Sequence, residues 1–280
     1  VNVRRLLIAG LLVFGWPQIG SEAPKWLHAR GMPPIAAADS FPVPLIDGEG
    51  LYGRRQNTAP AAHVAAGIAS GAVVPASGAV VVAIGMSNAQ IEFEAFRRVS
   101  RTDAVLVNAA CWGCTTERWN ESGDRGWNLA RRKVANAGLQ PSDVDVVWVK
   151  MARQRHIAAR TEDFEAILGT IRTEWPNVRQ VFVSDRIYAG WIERVPRAYS
   201  SGEPQGGWAA GPAVRQFVLN HLGEQDPFVD WGPYLWDDAA GWPRSLFEDD
   251  GTHVNAQGAA KVGARLAQFF SSSPATEWYR

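Results

Sequence analysis

The chain has 280 residues, with 28 Lys and Arg against 28 Asp and Glu, so its formal charge is zero. Phosphate contacts need a basic excess to release counterions, and this balance argues against a nucleic-acid partner. Hydrophobic residues make up 46% and charged residues 20%, the composition of a globular domain with a packed core rather than a disordered chain. The departures are 13 Trp against 5 Tyr, and only two Cys. Trp is large, flat and amphipathic, so the excess points either to a bulky core or to exposed platforms for sugars and other flat ligands.

In chain order, the first feature has the form of an export signal. Arg4 and Arg5 precede an apolar run from Leu6 to Trp16 that stops at Pro17. The run is shorter than the roughly 20 residues that span a bilayer, and no comparable run follows, so no stable span is expected after cleavage. Residues 1–23 are read as the signal, with small residues near Ser21 to Ala23 for the cut. A buried N-terminal element and an uncleaved anchor are the other readings. Residues 24–77 are rich in Pro, Gly and Ala and read as an irregular leader with one short helix near Ala61 to Ser70.

From residue 78 to 280 the pattern sharpens into alternating strands and helices. Ala79–Ile84 is a continuous, largely β-branched run of the kind buried on both faces, and Asn88 is placed to cap the helix that follows. Further strands are expected at Ala104–Asn108, Val144–Val149 and Val178–Ser184. Helices are expected at Trp127–Ala137, Glu162–Trp175, Pro212–Leu222 and Gln257–Phe270, the last capped by Asn255. Strands separated by helices imply right-handed crossovers and a mostly parallel sheet in one α/β domain, with its ligand crevice beyond the carboxyl ends of the strands.

Two fragments carry chemistry. Ser87, in Gly85-Met86-Ser87-Asn88, stands where the first strand gives way to a helix, whose N-terminus favours developing negative charge. A serine there also serves as a plain cap. Asp250-Gly251-Thr252-His253, before the last helix, puts a carboxylate within reach of the imidazole Nδ1, leaving Nε2 to take a proton from a serine. The plain alternative is a solvated turn with a surface histidine.

Together, Gly85-x-Ser87 and Asp250-x-x-His253 resemble the SGNH/GDSL hydrolase superfamily, and APAAHVAAG, DRIYAGW, WGPYLW and DGTH are similar to a group of its secreted bacterial members. The resemblance implies a three-layer α/β/α sandwich of flavodoxin-like type and serine ester hydrolysis. It makes Ser87 the nucleophile, His253 the base, Asp250 its orienter, and the N–H groups of Ser87 and Gly113 the oxyanion donors. The family's third donor, an asparagine, is missing. Arg153 aligns with it and Gln154 follows, either a candidate replacement, and Met86 stands where the family has aspartate.

The resemblance implies no cofactor and no metal. Glu248, Asp249 and Asp250 lie consecutively on one loop, which seldom lets oxygen ligands converge on a cation. Cys111 and Cys114 are either a small disulfide stiffening the Gly113 loop or two free thiols. Trp112, Trp119, Trp127, Trp191, Trp208, Trp231, Trp236 and Trp242 fill the core or gather at the cleft. The expectation is an exported, periplasmic or extracellular esterase acting on a small-molecule or glycan ester. The alternative is a noncatalytic envelope or carbohydrate-binding protein with a degenerate oxyanion hole.

Overall fold

A computed structural model describes residues 50–153, 159–187, 191, 210–235 and 241–280. The expected signal segment, the first part of the leader, Gln154, Trp208 and Trp236 lie outside them. Five strands form one sheet: β1 (Val80–Gly85), β2 (Val105–Asn108), β3 (Val146–Lys150), β4 (Gln180–Ser184) and β5 (Phe228–Trp231). All pairings are parallel and the order is β2-β1-β3-β4-β5. The last strand has no counterpart in the sequence reading. It is four residues long and interrupted by Asp230, too short for a periodic signal.

Among the described residues six α-helices flank the sheet: α1 (Ala61–Gly71), α2 (Ser87–Val99), α3 (Arg125–Asn136), α4 (Thr161–Glu174), α5 (Gly211–Asn220) and α6 (Ala256–Ser272). The side chains of β1 divide between two cores, as strand alternation requires. Val80, Val82 and Ile84 face one that contains Trp127 of α3, Ile167 of α4 and Phe217 of α5. Val81 and Ala83 face the other, with Ala66 of α1, Phe93 of α2 and Leu266 of α6. The result is a three-layer α/β/α sandwich. Each fully buried Val, Leu, Ile or Phe is worth roughly 1.5–3 kcal/mol, so both faces contribute and neither tolerates exposure.

The described part of the expected leader packs against this body. Trp231 Nε1 donates to Leu51 O, and buried His63 lies 3.2 Å from Asp230 and receives a hydrogen bond from Gly223 N–H. Among the described residues no helix is long and apolar enough to cross a membrane.

The chain moves outward from β1 to β2, then returns to place β3 on the other side of β1. Strand order therefore reverses between β1 and β3, and at such a switch the crossover helices leave on opposite faces and open a crevice. The two strand ends beside that crevice, Gly85 and Lys150, are register partners.

Candidate active site

Gly85 sets the geometry of the turn from β1 into α2. Its φ is +150°, and a Cβ there would sit 2.1 Å from Lys150 O and 2.8 Å from Ala89 Cβ. Only glycine lets β1 run this close to β3 and then turn at once into a helix. The cap of α2 is the extended Met86, not Asn88 as expected, so the helix begins at Ser87. As its first residue Ser87 has no carbonyl one turn back for its N–H, which remains available to an acceptor in the crevice.

Asn88, freed from capping, has a different task. Its Nδ2 donates to Thr252 O over 2.9 Å, tying the start of α2 to the loop before α6. That loop is closed by a Phe247–Val254 bridge and by Glu248 N–H donating to His253 O. Asn255 caps α6 as expected, accepting from Gln257 N–H and Gly258 N–H. Within the loop Asp250 Oδ1 accepts from the N–H groups of Thr252 and His253, while Oδ2 lies 2.5 Å from His253 Nδ1. Burial pushes the Asp250 carboxyl up, but the hydrogen bonds from His253 and Thr252 outweigh it and its pKa is lowered.

With Nδ1 facing the carboxylate, His253 presents Nε2 to Ser87 Oγ at 2.8 Å. Residues 166 positions apart thus form one line of serine, imidazole and carboxylate. The structure brings together the three residues named from the sequence.

Gly113 lies on the loop after β2, with φ +69° and open space where a Cβ would project. The loop is held at both ends, by Cys111 N–H on Gly85 O and by Thr116 N–H on Ala152 O. Between these anchors Cys111 and Cys114 form a disulfide, and Trp119 Nε1 donates to Cys114 O. Arg153 is engaged by acids. Its Nε lies 3.3 Å from Asp163 and 3.5 Å from Glu117.

The tryptophans divide between the two expected roles, core and cleft. Trp119, Trp127, Trp231 and Trp242 are buried, and Trp127 meets Trp119 and Trp175 edge to face at 5.2 Å. Each of the four buried indoles donates to a backbone carbonyl, which removes the cost of burying its N–H. Trp112 is the exception at the site. It is 55% exposed, and its ring lies 4.7 Å from that of His253.

Beneath the site lies a charge cluster to which the sequence reading gave no role. Lys150, at the end of β3, forms an ion pair with Glu92 of α2, and both are fully buried. Burial raises the Glu92 carboxyl and lowers the Lys150 ammonium, with the ion pair opposing both shifts. Asp185 and Arg186 follow β4 and are also buried. Desolvation lifts Asp185 to about 6, against hydrogen bonds from the N–H groups of Ala210 and Arg186, and lowers Arg186 to about 10.

No protein-family model matches the chain, and no curated protein sequence matches it. Solved structures similar to it include a protein of Slackia heliotrinireducens assigned as an SGNH hydrolase, at 15% identity over 69% of this chain and 99% of that one, with a TM-score of 0.42. The C-terminal catalytic domain of peptidoglycan O-acetyltransferase A from Streptococcus pneumoniae is 14% identical over 70% and 95% of the two chains, with a TM-score of 0.42. A lipase from a goat rumen metagenome is 14% identical over 67% and 95%, with a TM-score of 0.41.

Proposed function

We propose that this protein is a serine ester hydrolase working through an acyl-enzyme intermediate. The observation that carries the reading is the unbroken line from Ser87 Oγ through His253 to Asp250 at the β1/β3 switch point. His253 Nε2 takes the hydroxyl proton as Oγ attacks the ester carbonyl, and Asp250 holds the imidazole and stabilises the imidazolium that forms. The oxyanion is received by the N–H groups of Ser87 and Gly113 at the positive end of α2. His253 then gives its proton to the departing alcohol. Water, deprotonated by His253, attacks the acyl carbonyl, releases the acid and restores Ser87.

A fluorophosphonate probe tests this reading directly, together with a panel of acetyl and longer acyl esters. Wild-type protein is expected to label and turn over at least one ester, and Ser87→Ala to do neither. A wild type no better than Ser87→Ala ends the esterase reading.

The second reading, a noncatalytic carbohydrate-binding protein, draws support from Arg153. A guanidinium engaged by Asp163 and Glu117 is a poor substitute for the asparagine donor. The same labelling experiment separates the two readings.

Export belongs to the proposal as well. The Arg4-Arg5 charge followed by Leu6–Trp16 supports it. Mass spectrometry of secreted or periplasmic material should find an N-terminus beyond Trp16, and an intact Val1 in the cytosol contradicts export.

A further inference from the structure

An open groove of about 730 Å³ runs along the outer side of α2, between that helix, the edge strand β2 and the start of α6. Trp112 forms one end of it, so the groove leads to the indole that packs on His253. We propose that this groove binds the non-reacting part of the ester substrate, and that this part is an acidic polysaccharide. The inference rests on the esterase reading for what happens at Ser87, but the groove's ligand is decided by its own chemistry.

The floor is apolar. Ile91, Ala95 and Val99 follow one another at four-residue spacing on α2 and form a stripe facing Val105 and Leu106 of β2. Val99 is 45% exposed and Val105 38%, and with Trp112 they are three of the six exposed large hydrophobic residues among those described. Such clustering marks a ligand surface rather than scattered surface residues. From Gln90 to Val99 the helix rises about 14 Å at about 1.5 Å per residue. That length and volume suit a ligand of several rings.

Three features select a polar, anionic ligand over an acyl chain. Apolar ligands are held in pockets that bury about 70–90% of their surface, whereas an alkyl chain in this open groove would keep one side in water. β2 is the outermost strand, so its outer backbone N–H and C=O groups face the groove without a strand partner among the described residues, ready for hydroxyls and carboxylates. The rim is also unbalanced in charge. Its one acid, Glu94, is already paired with Arg97 at 2.9 Å, and Arg98 and Lys133 have no acidic partner within ion-pair distance among the described residues. A chain bearing carboxylates would bring Arg98 and Lys133 their counter-charges and lay a sugar face on Trp112. The same cations disfavour pairing of β2 with a strand of another chain.

Calorimetric titration of the full Ser87→Ala chain with galacturonate oligosaccharides tests the inference. Neutral gluco-oligosaccharides and decanoate serve as the competing ligands. The acidic oligosaccharide is expected to bind alone, more weakly at high salt. Its affinity should drop by about tenfold or more in Arg98→Glu/Lys133→Glu, because a reversed rim charge repels the ligand it attracted. Trp112→Ala should lose affinity as well, and Arg132→Glu, beside Lys133 on α3 but outside the groove, should not. The inference is overturned if the acidic oligosaccharide fails to bind, if a neutral sugar or decanoate binds as well, if charge reversal has no effect, or if the groove proves to be a dimer contact in sedimentation.

Fluorophosphonate labelling of Ser87 in the wild type reads the esterase proposal separately. Labelling without oligosaccharide binding removes only the groove inference. Binding without labelling removes the esterase and leaves a glycan site.

Discussion

Asp250 shows how much of this site is local chemistry. Three hydrogen-bond donors, the N–H groups of Thr252 and His253 and the Nδ1 of His253, converge on its carboxylate, so the Asp-x-x-His spacing carries its own geometry. Asp250→Asn keeps the size of the side chain but makes its amide compete for the wrong imidazole tautomer. It should lower kcat by on the order of 10³–10⁴-fold with the fold intact, measured by steady-state turnover and circular dichroism. Because the carboxyl is held below its ordinary range, it stays ionised in mild acid, and the acid limb of the wild-type rate profile should not follow it. The role of Asn88 was not legible in the sequence, since an Asn after a strand reads as a helix cap. It becomes a tie to Thr252 because Met86 takes the cap and turns the amide toward the His253 loop.

Between elements, the buried Glu92–Lys150 pair joins α2, which carries the serine, to β3. In the sequence these are a helix glutamate and a strand-end lysine, residue types that ordinarily face water. Their burial follows from register and helical phase. Lys150 aligns with Gly85, and Glu92 lies on the sheet-facing side of α2 beside Phe93 and Ala89. Removing one partner strands the other charge, so Glu92→Leu or Lys150→Met should each cost about 3–5 kcal/mol, and the double variant should recover most of the loss. Urea unfolding of the four proteins gives the coupling directly. Additive losses would show that the pair is not a unit.

Across the whole molecule, Asp185 couples folding to pH. Its carboxyl titrates at about 6 in the folded chain against an ordinary 3.8, so the folded state holds the proton more tightly. Its contribution to stability is therefore fully present below about pH 3.8, is lost as pH rises through about 6, and becomes a cost above that. Compared with Asp185→Asn, wild type should lose relative thermal stability over this interval. Melting temperatures measured across it check the sign, and a constant difference between the two proteins would refute it.

By itself the sequence determined the alternation of strands and helices, the parallel α/β class, and the two fragments that hold serine, carboxylate and imidazole. These are legible because hydrophobic period, turn residues and an i, i+3 spacing act over a few residues. Tertiary structure alone decided the rest: the fifth strand, the burial of Trp119, Trp127, Trp231 and Trp242, the engagement of Arg153 with Asp163 and Glu117, and the charges packed under the site. Each depends on which faces of separate elements meet. That is fixed by strand order and crossover, and a linear pattern of residue types does not carry it.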